Sequence, residues 1–490
     1  MKNKILIVTY NYEPWPLAVA IEIMTNEIKN GSVITWIDLN NSFDKILLFP
    51  FSDKLKNVTI KNRIKKKFLN KKIRYMNQIS LTGDNHAGSK SQSYILNRAK
   101  EIAFAELISI LRDSSPCIKH NKKILSNYEQ VYIDTFSAIR TELSKNLYDK
   151  VYIYNGRNLQ ERATWDACIE AGITINFFES FNENWADRYF IFEQPTHSPQ
   201  YRSEIMLDYS VKEKEQNLSN YNYVGNKWFT DRQIGVSQKF TKSQNNYPVV
   251  NFENPYIVFF HSSQDELDMI GLVSDYWKNQ IKSLYLLIEI LEKNPKFNLV
   301  LRIHPHLLHK SKIEILYWDQ IGKKLEQKYS WFSYLPAKSN VNSYELIRNA
   351  EVVISCASTI GVEAAYMRKK SILLGKAFHE FMGVTQNPKN VEELNTILFS
   401  ESTGDEIIRA FNASLAYGYF SEKGGEFFKN VSYTLKFGRR VYNYHDFLIS
   451  SGIILRLIRR IEEFIIKIES NFTQRRCVND CGLDTRPGWE

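Results

Sequence analysis

Three short polar clusters in this chain could hold a phosphate. His261-Ser262-Ser263, Arg302-Ile303-His304-Pro305-His306 and Ser355-Cys356-Ala357-Ser358-Thr359 each close a short apolar run. Imidazole N–H groups, hydroxyls and the free N–H groups at the start of a helix are suitable donors to phosphate oxygens. Pro305 stops a strand ladder and fixes the backbone beside His304. A lone His at a strand end is usually satisfied structurally, but here it recurs with serine-rich turns at what would be the same sheet edge. Ser358 and Thr359 precede Gly361-Val362-Glu363-Ala364-Ala365, where Gly361 permits close approach. A plain helix cap would use the same hydroxyls. Glu363, one turn further on, could accept ribose hydroxyls or merely complement the helix dipole.

Hydropathy places these clusters on a regular framework. From Pro255 onward strands are expected at Tyr256–Phe260, Asn298–Ile303, Trp331–Tyr334, Val352–Ser355 and Ser371–Leu374. Helices are expected at Tyr276–Leu291, Ile313–Gln327, Ser343–Asn349, Val362–Met367 and Val391–Leu398. Such alternation is the pattern of a parallel, doubly wound sheet, whose ligands bind beyond the carboxyl ends of its strands. The N-terminal half opens in the same way, with a strand at Ile5–Val8, a helix over Ala18–Ile28 and a strand over Ser32–Asp38. Helices follow around Tyr94–Leu111 and Tyr132–Leu147. The theme then resumes with a strand over Asp149–Tyr154, a turn at Asn155-Gly156-Arg157, a helix over Leu159–Ala171 and a strand over Ile173–Phe178. Residues 181–250 read as loops and short helices, with a domain boundary near 235–252.

Composition narrows the class. The 490 residues are 43% hydrophobic with 13 Pro and 20 Gly, which excludes collagen-like, mucin-like and mostly disordered chains. Sixty-four Lys plus Arg against 54 Asp plus Glu give a net charge of +10, favouring an anionic partner. Eight basic residues between Lys61 and Arg74, with no acid among them, make a solvated face or an anion-binding segment. The five Cys are scattered apart from Cys477 and Cys481, so a reducing, cytoplasmic location is expected. The first residues read as a strand and not as a leader, and no run is long enough to span a membrane. Near the C-terminus, Ile454, Leu457, Ile458, Ile461, Ile465 and Ile468 recur at helical spacing among Arg456, Arg459, Arg460 and Lys467. This amphipathic basic helix suits either packing across domains or peripheral docking on the inner face of the cell membrane.

The run Arg302–His306, with Ser358-Thr359-Ile360-Gly361-Val362-Glu363-Ala364-Ala365 and Lys370-Ser371-Ile372-Leu373-Leu374-Gly375, resembles the capsule polysaccharide glycosyltransferases of bacteria. It is similar to their Kdo-transferase and sialyltransferase-like relatives, with Ser-Thr where the latter pattern has two serines. The resemblance implies an α/β protein of GT-B type: two Rossmann-like doubly wound domains facing a cleft, plus C-terminal helices. The expected division is an acceptor domain over 1–240, a nucleotide-sugar domain over 250–400 and a helical extension over 401–490. His304 and Pro305 would meet the nucleotide or its phosphate, and Ser358 and Thr359 the phosphate. The donor is expected to be a CMP-Kdo or similar nucleotide sugar, acting as co-substrate with no further cofactor. The acceptor would be a glycan or a lipid-linked glycan.

Sugar transfer also needs a group to deprotonate the acceptor hydroxyl. Glu179, ending a strand of the first domain, and Glu13, in the loop after the first strand, stand at the right edge, Glu179 ranking first. Either could instead be a surface carboxylate or the partner of Arg157 or Arg162. Arg157 could hold an anionic acceptor or a donor carboxylate, or anchor its own turn. No Asp-x-Asp triplet occurs, so metal independence is expected. There is no P-loop, no Gly-x-Gly-x-x-Gly and no Gly-x-Ser-x-Gly. Cys477 and Cys481 make a weak zinc signal. Two further readings stay open: a polyol phosphotransferase of teichoic-acid type, and a non-enzymatic binder of anionic polymers. No nucleic-acid-binding motif is present.

Overall fold

The structure, a computed structural model, describes residues 2–9, 14–39, 73–76, 92–179, 187–234, 255–263, 265–309, 312–436, 439–444 and 447–449. Glu13, most of the basic segment before Ile73 and the amphipathic stretch 454–468 lie outside these residues. The chain forms two compact units. One comprises residues 1–107, 117–196 and 425–473, the other 108–116, 197–424 and 474–490. The division therefore falls at Thr196–His197, ahead of the boundary expected near 235–252.

In the first unit, strand β1 (Lys4–Thr9) is buried along nearly its whole length, as its unbroken apolar run requires. Helix α1 (Pro14–Lys29) leads to β2 (Val33–Asp38), and β3 (Ile73–Met76) carries Arg74, the last of the basic run. Helices α2 (Gln92–Leu111) and α3 (Ile118–Lys145) precede β4 (Lys150–Tyr154), α4 (Leu159–Glu170) and β5 (Ile175–Glu179). Strand β6 (Arg188–Phe192) pairs antiparallel with β5. The sheet is completed by β12 (Glu426–Phe427), antiparallel to β6, so its order is β12-β6-β5-β4-β1-β2-β3. Strands β1 to β5 are parallel, and the winding reverses between β1 and β4.

The second unit begins with α5 (Pro199–Gln216) and α6 (Leu218–Gln233), where loops and short helices were expected. Its sheet follows the expected alternation closely. It contains β7 (Tyr256–Phe260), α7 (Gln280–Lys293), β8 (Asn298–Arg302), α8 (Lys312–Lys328) and β9 (Phe332–Leu335). After these come α9 (Ser343–Asn349), β10 (Val352–Ser355), α10 (Ile360–Tyr366), β11 (Lys370–Leu373) and α11 (Val391–Phe399). All five strands are parallel in the order β11-β10-β7-β8-β9. Side chains of β7 alternate between two cores. Ile257 and Phe259 join Leu284, Leu287 and Leu291 of α7, while Tyr256, Val258 and Phe260 join Tyr344 and Ile347 of α9 and Ala364 of α10. Two buried faces explain why these strands read as continuous apolar runs.

The segment expected as a helical extension divides between the two units. Helix α12 (Gly404–Lys423) packs on α6 and α10 in the second. The chain then turns at Gly425 (φ +97°), forms β12 and continues as an antiparallel group of β13 (Ser432–Lys436), β14 (Arg439–Tyr444) and β15 (Phe447–Ile449). Its return is anchored by Glu22 of α1, which is fully buried. One carboxylate oxygen accepts the Lys429 N–H and the Asn430 side-chain N–H at 2.8 Å each; the other accepts the N–H groups of Asn430 and Val431 at 2.8 and 2.9 Å. Removing this acceptor strands several donors away from water, at roughly 1–3 kcal/mol for each orphaned group. Glu22→Ala is expected to destabilise the first unit by about 3 kcal/mol, Glu22→Gln by less. Hydrogen exchange at Lys429–Val431 should accelerate in the same order; unchanged protection in Glu22→Ala would refute the anchor.

Candidate functional site

The ladder of the second sheet brings Ser355, Phe260, Arg302 and Leu335 into register on β10, β7, β8 and β9. The chain leaves β7 toward β8 and later returns to β10 on its other side. At such a reversal the connections diverge and leave a crevice beyond the strand ends. All three polar clusters lie at this carboxyl edge, and the structure divides them into two kinds.

His261, Ser262 and Arg302 build the edge instead of lining it. His261 is 2% exposed; its N–H donates to the Arg302 carbonyl at 2.9 Å and its ring packs edge-on against Trp318. The Ser262 hydroxyl accepts the Ala357 N–H at 3.1 Å, tying β7 to β10. Gln280, first residue of α7, clamps Ser262 by accepting its N–H at 2.6 Å and donating to its carbonyl at 2.9 Å. Arg302 is buried, with Nη1 and Nη2 donating to the carbonyls of Pro336 and Ser339 at 2.8 and 3.1 Å. Burial lowers its pKa to about 10, so it stays charged at neutral pH as a strut under the loop after β9. The main-chain N–H of His261, the Ser262 hydroxyl and the Arg302 Nη atoms are thus engaged with the protein's own backbone. Ser263 is half-buried, and its carbonyl accepts the N–H of Glu266.

His304, Ser358 and Thr359 are half-buried in the segments that follow β8 and β10, the two strands flanking β7, whose axes lie two strand spacings, about 10 Å, apart. His304 Nδ1 accepts the His306 N–H at 3.1 Å, which leaves Nε2 as the protonated nitrogen of the neutral ring. Pro305 opens the 3₁₀ turn Pro305–His309 that makes this bond possible. The Ser358 hydroxyl accepts the Ile360 N–H at 3.2 Å and so keeps its own hydrogen for another acceptor. Thr359 donates to Glu363 at 3.4 Å. Beside Ala357 a cleft of about 310 Å³ opens between the ends of β10 and β11 and the start of α7, with Trp277, Asn279 and Lys376 on its walls. Gly375 is required there, because a Cβ would lie 2.1 Å from the Cys356 carbonyl oxygen.

Glu363 differs from expectation. It is 3% exposed, and one oxygen accepts both Nε and Nη2 of Arg232 at 3.1 and 2.9 Å. Burial, and after it the Glu363 charge, pushes the Tyr344 phenol well above its ordinary range. Glu363 thus joins α6 to α10. His379, in the loop after β11, is also buried, with its Nε2 lacking a hydrogen-bond partner and its ring edge-on to Tyr417.

At the carboxyl edge of the first sheet, Glu179 and Arg157 are brought together, Nη2 to Oε2 at 3.3 Å. Glu179 is buried, whereas the Arg157 side chain is about one-third exposed. The pairing is the one the sequence allowed as an alternative to a free base. Asn155 Oδ1 accepts the Arg157 N–H, and Asn155 Nδ2 donates to Glu179 at the long distance of 3.5 Å. Gly156 has φ +74° and a Cβ would fall 2.8 Å from the Phe177 ring. Sequence reasoning missed Gln280, Arg232 and Glu161. The last had a visible signal, since Asn158-x-x-Glu161 is a capping-box spacing. Its carboxylate accepts the N–H groups of Arg157 and Asn158 at 2.5 and 2.7 Å. Among the described residues there is no metal-ligand cluster, and no helix is long and apolar enough to cross a membrane.

Residues 188–417 match the family described as capsule polysaccharide biosynthesis protein, so over most of the second unit the chain is similar to that family, as its motifs implied. No curated protein matches the chain. Likeness to solved structures is weak. The β-Kdo 2,7 transferase of Thermosulfurimonas dismutans KpsC is 16% identical, with a TM-score of 0.36, covering 62% of this chain and 85% of its own. The β-Kdo 2,4 transferase of the same protein is 12% identical, with a TM-score of 0.34, covering 54% and 79%. The UDP-GlcNAc 2-epimerase of Methanocaldococcus jannaschii is 15% identical, with a TM-score of 0.25, covering 84% and 99%.

Burial lowers the His379 pKa from 6.5 to about 4. Below pH 6.5 the unfolded chain binds a proton that the folded chain refuses, so stability falls as pH drops toward 4. The limiting slope is about 1.4 kcal/mol per pH unit. Replacing His379 with Phe should flatten the stability profile of the second unit between pH 6.5 and 4. An unchanged slope would show that His379 is not held neutral.

Proposed function

We propose that the chain is a glycosyltransferase of GT-B type in capsule polysaccharide synthesis. It moves a sugar from a CMP- or other nucleotide-activated donor to a glycan or lipid-linked acceptor. In direct displacement the acceptor oxygen bonds to the anomeric carbon while the bond from that carbon to the phosphate oxygen breaks. The nucleotide leaves with the electron pair and the acceptor proton passes to a base. His304 Nε2–H and the hydroxyls of Ser358 and Thr359 would meet the phosphate, and Glu179 would take the proton, with Arg157 beside it holding an anionic group. The reading places no metal in the reaction, in keeping with a sequence that has no Asp-x-Asp triplet. It places the enzyme in the cytoplasm, with the basic helix near the C-terminus docking on the membrane face.

The observation that carries this reading is the His304 tautomer at a winding reversal. The His306 N–H occupies Nδ1, so Nε2 carries the hydrogen of the neutral ring, and Ser358 and Thr359 follow the strand two places away at the same carboxyl edge. A donor to phosphate is worth about 1.5–3 kcal/mol when the acceptor is charged, or at least tenfold in affinity. In calorimetric titration His304→Ala should therefore bind CMP about tenfold more weakly than wild type, with cytidine bound equally by both. Equal losses for nucleoside and nucleotide would remove His304 from the phosphate. Turnover of CDP-glycerol but of no nucleotide sugar would replace sugar transfer by polyol-phosphate transfer.

A further inference from the structure

We propose that a second cleft of the second unit, at the amino end of β11, binds a sugar acid, with Lys369 and Arg409 meeting its carboxylate and Gln386 and Ser402 its ring hydroxyls. The inference goes beyond the reading given above and takes from it only that a glycan is handled. The cleft measures about 580 Å³, a size suited to a small molecule. Its floor is the start of β11 together with residues 383–386, which run beside that strand. There the Gln386 N–H donates to the Ser371 carbonyl at 2.8 Å, and the Gln386 carbonyl accepts the Leu373 N–H at 3.0 Å. The first turns of α12 form the facing wall. The cleft beside Ala357 lies past the other end of β11, and no residue lines both. The four residues of the strand set the two about 13 Å apart.

Charge selects an anion. Among the lining residues Lys369, Lys370 and Arg409 are basic and Glu406 alone is acidic. Glu406 is committed to its own helix, accepting the Thr403 N–H and hydroxyl at 2.8 and 3.1 Å. The neighbouring acids Glu401 and Asp405 are exposed and do not line the cleft. Lys370 ties down the end of α11, donating to the carbonyl of Ile397 at 2.6 Å and to that of Ser400, and Lys296 adds positive charge beside it. Lys369 and Arg409, by contrast, form neither hydrogen bond nor ion pair among the described residues. The remaining polar groups select hydroxyls. The half-buried Gln386 side chain makes no hydrogen bond among the described residues, its Oε1 being shut away without a partner, and the Ser402 hydroxyl makes none either. An amide and a hydroxyl can each donate to one sugar hydroxyl and accept from another. No lining residue is aromatic, so a nucleobase has nothing to stack on, whereas Val384 and Ile407 offer apolar surface to the C–H face of a sugar ring. A lone phosphate would leave both of those surfaces unused.

Calorimetric titration of the full-length chain tests this with galacturonic acid, glucuronic acid and Kdo, each beside its own methyl ester, and with inorganic phosphate. At least one acid should bind about tenfold more tightly than its ester and than phosphate. Its affinity should persist in saturating CMP, because the two clefts share no residue. Arg409→Glu should weaken that acid about tenfold, and Gln386→Leu about threefold. Trigalacturonic acid against galacturonic acid separates the two sources of such a ligand: tighter binding of the trimer assigns the site to a polymer, and equal or weaker binding to the free sugar, either of which supports it. Binding by no acid, equal binding of acid and ester, phosphate matching the acids, displacement by CMP, or wild-type affinity in Arg409→Glu overturns the proposal. If Arg409→Glu does not fold, Gln386→Leu and the acid–ester comparison decide. The titrations involve no transfer step, so a wild type that transfers no sugar would remove the functional reading and leave this result to stand or fall alone.

Discussion

A parallel sheet covered on both faces has only its strand ends left for chemistry, and the molecule is organised around that restriction. In each sheet the chain winds outward from its first strand, returns, and winds the other way, reversing between β1 and β4 in one unit and between β7 and β10 in the other. At these reversals backbone carbonyls and N–H groups emerge without ladder partners, and leaving them buried and unpaired would cost about 1–3 kcal/mol each. Arg302 and Gln280 meet that requirement in the second unit, holding the carbonyls of Pro336, Ser339 and Ser262. Once the struts are in place, His304, Ser358 and Thr359 remain half-buried, with the Ser358 hydroxyl hydrogen uncommitted. The first unit meets the same requirement with acidic side chains, since the carboxyls of Glu106 and Glu161 accept from three successive N–H groups at the start of α4. One edge therefore offers donors and the other offers carboxyls.

What the sequence made legible follows from which surfaces are buried. Strands β7 to β11 were readable almost to the residue, because burial on both faces produces unbroken apolar runs that stand out against the helices between them. Helices α5 and α6 were legible only as loops and short helices, and α12 only as part of a helical extension, and their packing is correspondingly local. Gly225 of α6 and Gly418 of α12 meet so closely that a Cβ on the latter would lie 2.7 Å from the Gly225 carbonyl oxygen. Ser210 donates to the Ala416 carbonyl, and Tyr221 and Val224 of α6 cluster with Leu415 and Tyr419 of α12, a mainly aromatic stripe set among Asn, Lys and Gly residues. The return of the C-terminal segment to the first unit was hidden for a related reason. It depends on Glu22, an acidic residue in the apolar stretch of α1, accepting backbone donors some 400 positions away. Nothing local marks such a contact.

The candidate site was legible in kind but not in orientation. Residue types at the strand ends showed that polar chemistry gathers there; which atoms face outward is decided by partners far along the chain. Glu363 illustrates the difference. Its place one turn into α10 suits contact with a sugar hydroxyl, but Arg232 of α6 claims its carboxylate, with the guanidinium stacked over Trp228 at 4.5 Å. Breaking a buried pair of this kind leaves an uncompensated charge, which typically costs about 3–5 kcal/mol. Arg232 is therefore committed to the packing of α6 on α10. Glu363 nonetheless reaches the rim through Thr359, whose hydroxyl it accepts at 3.4 Å. That bond turns the Thr359 hydrogen inward and its oxygen lone pairs outward, whereas Ser358 keeps its hydrogen available. The two neighbouring hydroxyls thus differ in role: Ser358 can donate to a phosphate as it stands, and Thr359 can do so only by giving up Glu363. A serine at 359 would lack the methyl group that restricts the χ1 rotamer, so threonine fixes this division of labour in the covalent structure of the chain.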